Sequence, residues 1–178
     1  RSIINSGINE YFHLSILDLD QAQIDAIAQV IQSEIDENYY ISGNELVALL
    51  RIRLPHIMEP YAHIPETGIR KALGMWLSDR FSFVGNLVSA LGRNLSIPDV
   101  YAHFCRKHKQ FTLQDLYALR DSLGQNPSIY FDVVYDNALR ISEEEFVAKD
   151  RARFDINGTD AAIDLFCPDD YIPLEGIT

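Results

Sequence analysis

Tyr40-Ile41-Ser42-Gly43-Asn44-Glu45-Leu46-Val47-Ala48-Leu49-Leu50 returns 70 positions later as Gln110-Phe111-Thr112-Leu113-Gln114-Asp115-Leu116-Tyr117-Ala118-Leu119-Arg120. In both copies an apolar residue precedes a hydroxyl residue, an acid follows three positions on, and an apolar helical face begins at once. A hydroxyl at a helix N-cap accepts from an otherwise unpaired amide of the first turn, and an acid three residues later reaches back. Glu45 and Asp115 also oppose the positive end of the helix dipole. Each copy therefore reads as a short strand entering a helix of about three turns. The aspartate is shorter than the glutamate, which predicts the weaker capping box in the second copy.

The flanks repeat as well. Before the first copy, Asp20 to Glu37 sets Ile24, Ile27, Ala28, Ile31 and Ile35 on one helical stripe. Before the second, Ile97 to Lys109 does the same with Ile97, Val100, Tyr101, Phe104 and Cys105, and Ser96 ahead of Pro98 and Asp99 is a start signal. A further helix is predicted after each copy, over Pro65 to Arg80 and over about Ile129 to Asn137. For Ile129-Tyr130-Phe131-Asp132-Val133-Val134-Tyr135 a strand is the alternative. Arg80 to Ala90 then alternates apolar residues around Gly85-Asn86, a two-residue hairpin connection. Leu139 to Ala148 is strand-like on both sides of the acidic turn Glu143-Glu144-Glu145.

Helix, short strand, helix, helix, hairpin thus occurs twice, and this order resembles the winged helix-turn-helix superfamily over about residues 20–93 and 95–150. The resemblance implies an α+β fold, mainly helical, of two tandem winged-helix-like modules with small antiparallel β-hairpin wings. The expected divisions are a lead-in over 1–19, modules over 20–93 and 94–150, and an α/β appendage over 151–178. In that appendage Arg151-Ala152-Arg153-Phe154 would extend the second sheet, Thr159 would cap a short helix, and Tyr171 to Leu174 would form a last strand.

Winged helices that bind DNA lay the third helix in the major groove and touch the backbone or minor groove with the wing. Carried onto this chain, that role falls to Thr67, Arg70, Lys71 and Arg80 on the first third helix and to Arg93 after its wing. The same cations also suit the solvated side of an amphipathic helix whose Leu73, Trp76 and Leu77 face the core. In the second module the comparable helix carries Asp132 and Asp136 without Lys or Arg. Its acidic wing tip would repel phosphate, so protein contact is the expectation there, with Tyr130, Tyr135 and Phe146 as anchors. Those aromatics can equally fill the core.

Charge bears on both readings. The chain of 178 residues has a net charge of −11, distributed as −6 over 1–42, +2 over 43–93, zero over 94–142 and −7 over 143–178. An acidic protein gains little from phosphate neutralisation, though the middle of this one is neutral to slightly basic. Its 47% hydrophobic content supports real cores, and no apolar run approaches the roughly 20 residues of a membrane span. Two cysteines, Cys105 and Cys167, are too few for a secreted disulfide scaffold and suggest a reducing cytoplasm. Because Arg1 stands first and strand-forming residues stand near the end, excision from a longer polypeptide is expected.

Chemistry-bearing motifs are sparse. His56, Glu59 and His63, or His103, Cys105 and His108, lack the spacings that wrap ligands round one ion, and Pro60 breaks a helix through the first set. The basic run His103 to Lys109 suits a helix C-terminus. Asp160, Asp164, Asp169 and Asp170 look like a solvated face. Glycine-rich phosphate loops and nucleophile elbows do not occur. The expectation is a non-catalytic interaction module of a larger DNA-associated protein, without metal, cofactor or membrane. Its partner would be a protein or other domains of the parent chain. The alternative is direct DNA binding through the third helix and wing of the first module.

Overall fold

The structure is a computed structural model and describes residues 3–7, 10–124, 128–153 and 158. It opens on a hairpin that the sequence reading took as a lead-in: β1 (Ile3–Gly7) pairs antiparallel with β2 (Glu10–His13). Asp20 then caps α1 (Gln21–Asn38) with a reciprocal capping box to Gln23, and the Ile27, Ala28, Ile31 and Ile35 stripe is buried.

The repeated stretch follows. β3 (Ile41–Ser42) runs straight into α2 (Gly43–Arg53), an 11-residue helix capped by Ser42. Pro55 starts the short helix α3 (Pro55–Met58), and α4 (Glu66–Trp76) buries Gly68, Ile69, Ala72 and Leu73. The hairpin β4 (Phe81–Val84) and β5 (Leu87–Ala90) turns at Gly85-Asn86, where Gly85 has φ +56°. The three strands form one antiparallel sheet in the order β3-β5-β4.

The second half repeats this plan. α5 (Ile97–Lys107) is capped by Ser96 and Asp99, with cations Arg106 and Lys107 in its last turn. β6 (Gln110–Thr112) feeds α6 (Leu113–Leu123), again 11 residues. Residues Phe131–Asn137 form α7, a helix and not the alternative strand, and β7 (Ala138–Arg140) and β8 (Glu145–Ala148) close the sheet β6-β8-β7. The chain is therefore α+β and mainly helical, built from two halves that share one strand order and the succession helix, short strand, helix, helix, hairpin, with α3 an additional short helix in the first.

Three expectations need correction. The third helix of the first half ends at Trp76, because Leu77 leaves helical geometry, so Arg80 lies beyond it. Arg151 to Arg153 form a turn and irregular chain that folds back through a hydrogen bond from the Ala152 amide to the Ala148 carbonyl (3.0 Å), not a strand. The capping boxes also rank the other way. Asp115 accepts from the Thr112 amide (2.7 Å) and hydroxyl (2.8 Å), completing the second box, whereas Ser42 accepts from Glu45 (3.3 Å) without a return bond. The shorter acid stays close to its own turn, and those bonds to Thr112 hold its carboxyl below the ordinary value. Phe154, the Thr159 cap and the Tyr171 to Leu174 strand lie outside the described residues.

Each half has its own core. In the second, Tyr101 is wholly buried, packed on Tyr130 at 5.8 Å between ring centroids, and its hydroxyl has no hydrogen-bond partner among the described residues. Burial pushes that phenol up to about 12. An unsatisfied buried hydroxyl costs roughly 1–3 kcal/mol of desolvation. Tyr101→Phe is accordingly expected to keep or raise the melting temperature, and a clear drop would show that the hydroxyl is bonded after all.

Candidate interaction surfaces

The first hairpin does not end in solvent. Asn86, only 9% exposed at its tip, donates from Nδ2 to the Leu123 carbonyl at the end of α6 (2.8 Å) and to Oδ1 of Asn44 (3.3 Å). Its carbonyl accepts from Gly43 (2.7 Å). Leu87, the next residue, is buried among residues of the second core, including Leu95, Val100 and Leu123. Gly124, which terminates α6 with φ +72°, leaves room for Asn44: a Cβ there would lie 1.7 Å from Asn44 Nδ2.

A second set of contacts closes the other side of this junction. Tyr39 ends α1 with φ +76°, a left-handed region that a bulky residue enters only when its surroundings hold it there. Its ring stacks on His103 of α5, at 4.2 Å between centroids and 6° between planes, which leaves the opposite face to the Arg93 guanidinium at 4.0 Å. Arg93 also donates to the Tyr39 carbonyl (3.5 Å). Burial foremost, then Lys107, Arg106, Arg93 and His108, lowers the His103 pKa. Beside the stack is a cleft of about 370 Å³, lined by Glu34, Tyr40, Glu45, His103, Phe104 and Lys107 among others. Burial and Glu45 push the Tyr40 phenol up to about 12. Asn38 links the cleft's charges, donating to Glu34 (2.6 Å) and accepting from Lys107 (3.4 Å).

The cations named from the sequence are drawn into the fold in the same way. Arg70 donates to the Gly85 carbonyl, tying α4 to its own hairpin. Lys71 donates from Nζ to the Asn5 carbonyl of β1 (2.8 Å), and Arg80 pairs with Asp25 of α1 (2.7 Å). With Arg93 on Tyr39, four of the five residues proposed to face nucleic acid contact their own chain. Thr67 is exposed on α4. Thr67, Arg70 and Lys71 share α4, whereas Arg80 and Arg93 lie outside that helix.

The aromatic anchors separate too. Phe146 is 0% exposed, stacked on Phe111 at 5.4 Å, so this residue is corrected from contact surface to core. Tyr130 is half-buried against Tyr101, and Tyr135 is 44% exposed, stacked on Phe131 at 5.9 Å. Sequence reasoning missed Phe131 and Ile141, exposed by 36% and 54%. It also missed the junction residues Tyr39, Asn44, Asn86 and His103. The Gly-Asn turn marked a bend but not what the bend would touch.

Cys105 is a free, buried thiol on α5, raised by burial to about 11 and so inert as a nucleophile. The hydroxyl of Ser15 lies 2.7 Å from Nδ1 of exposed His13, within a helical cap. Among the described residues no three His, Cys, Asp or Glu side chains gather to hold a metal ion, and no helix is long and apolar enough to cross a membrane. Comparison of the chain with protein-family models, with curated proteins and with solved structures gives no match.

Two measurements probe the junction. Gly124→Ala puts a side chain at positive φ against Asn44 and is expected to cost about 1–2 kcal/mol of stability, read by denaturant melts. Lowering of the His103 pKa makes the folded chain bind fewer protons than the unfolded one, so the stability tied to it is complete above about 6.5 and falls as pH drops toward the folded value. His103→Phe, which keeps a ring on Tyr39, should show a shallower loss of melting temperature between pH 7.5 and 5.5. Equal slopes would exclude this role of His103.

Proposed function

We propose that the chain is a non-catalytic interaction module of a larger DNA-associated protein, in which two winged-helix-like units are locked together and contact a protein partner. The element order of each half and the strand orders β3-β5-β4 and β6-β8-β7 support the winged helix-turn-helix reading. One observation carries the functional part. The cations expected to meet phosphate are engaged within the chain, and the first wing, which would track the DNA backbone, docks its turn residues Asn86 and Leu87 against the second half. Of these cations only Arg80 pairs with a carboxylate; the others keep their charge but are oriented by contacts within the chain, which disfavours a phosphate-tracking role. Scarce cysteine supports a reducing, cytoplasmic setting.

Direct DNA reading by the first half retains one supporting feature: Thr67 and Lys71 remain exposed on α4. Fluorescence anisotropy with a mixed-sequence duplex at two salt concentrations separates the two readings. The interaction module is expected to leave the anisotropy unchanged. Salt-sensitive binding that Arg70→Ala with Lys71→Ala weakens would replace it by DNA recognition.

A further inference from the structure

The two halves use equivalent surfaces differently. Gly43 donates to the Asn86 carbonyl in the first half, and Leu113 donates to the Glu144 carbonyl in the second, each at 2.7 Å. Ser42 pairs with Leu87, and Thr112 with Glu145. The docked pair Asn86-Leu87 thus corresponds to Glu144-Glu145, and both glutamates are exposed. The third helices differ likewise. Lys71 on α4 is tied to β1, which packs along that helix, whereas α7 presents stacked Phe131 and Tyr135 to solvent. Tyr135 leans on Phe146 at 6.3 Å, and Phe146 pairs across the sheet with Arg140, next to exposed Ile141, so the aromatic row continues onto the hairpin.

Around this apolar row stand five carboxylates, Asp132, Asp136, Glu143, Glu144 and Glu145. Among the described residues none of them makes an ion pair. Of the cations nearby, Arg140 gives its guanidinium to the carbonyls of Ser142 (3.1 Å) and Glu143, and Arg106 donates to Asn137 Oδ1 at the end of α7 (3.4 Å). From this placement we infer that the α7 and β7–β8 face is a docking surface for a basic polypeptide segment, one whose Lys and Arg meet the acidic rim while apolar side chains cover Phe131, Tyr135 and Ile141. This deepens the proposed function and rests on it.

Charge chooses the occupant. Nucleic acid and anionic lipid are repelled by the rim. Residues 154–178 of the chain itself carry six acids and no Lys or Arg, and a second copy brings a net charge of −11, so neither complements the face. An amphipathic basic helix does: it offers apolar side chains at helical spacing to the aromatic row and cations to both sides of it.

The test is anisotropy titration of the full chain with a labelled peptide of about sixteen residues built from Leu-Lys-Ala-Arg repeats, and with a counterpart carrying Gln for every Lys and Arg. The basic peptide is expected to bind, and the glutamine peptide to bind at least about tenfold more weakly. Phe131→Ser with Tyr135→Ser should weaken the basic peptide by about tenfold or more. Because Tyr135 covers Phe146, a second variant, Glu143→Gln with Glu144→Gln, alters only exposed carboxylates; it should weaken binding about threefold and flatten its salt dependence. Lys71→Ala should change nothing. Equal affinity for both peptides, equal affinity in all variants, or no binding of the basic peptide overturns the docking surface while leaving the interaction module standing. Salt-sensitive binding of a duplex, run in the same format, overturns both.

Discussion

The side-chain amide of Asn86 joins the two halves, and most of what distinguishes them follows from that bond. Buried amides need partners, since leaving one unmade costs far more than making it gains. Asn86 finds the last carbonyl of α6, one of the four that every helix leaves unpaired, and Asn44 as well. The contact needs Gly124, where any side chain would collide with Asn44, and it carries Leu87 into the second core. Tyr39 pays backbone strain at the same joint, held between Arg93 and His103. Polar bonds set the register of the halves, and apolar burial of Leu87 supplies much of the adhesion.

Within this arrangement basic residues serve as internal ties. Arg70 reaches its own hairpin, Lys71 reaches β1, Arg80 reaches α1, and Arg93 covers Tyr39. Arg51 pairs with Glu66 across α2 and α4 at 2.7 Å. Exposed ion pairs of this kind are individually worth little, at most about 1 kcal/mol. Their consequence here is positional: Arg80 and Arg51 are matched to carboxylates of their own chain, and Arg70, Lys71 and Arg93 are oriented by carbonyls and a ring.

Much of the fold was legible because its signals are local. The hydroxyl-to-acid spacing at Ser42 and Thr112, the isoleucine stripe of α1 and the alternation around Gly85-Asn86 each depend on neighbours within a turn or two. The uncertain stretch before Asn137 resolved as a helix because Val134 faces the core while Phe131 and Tyr135, one turn apart, share the outer side. What stayed hidden depends on distant partners. Lys71 meets Asn5 across 66 positions and Asn86 meets Leu123 across 37, and no periodicity announces either. Box strength misled for a subtler reason: side-chain length was judged by reach, when the shorter aspartate fits the turn better than glutamate.

The pair Leu87 and Glu145 shows where function is decided in a duplicated unit of this kind. Both follow the hairpin turn, both face the short strand that enters a helix, and their backbones pair alike. One side chain is apolar, so burial against a neighbouring half is favourable; the other is charged, and burial without a partner charge would cost several kcal/mol. The same hairpin is thus a seam in one copy and an open edge in the other, on account of side chains at its tip and not of its fold. A fold shared by both halves cannot by itself say what either does. The proposed docking of a basic segment therefore rests on the exposed tip, where carboxylates that make no ion pair among the described residues stand beside stacked aromatic rings.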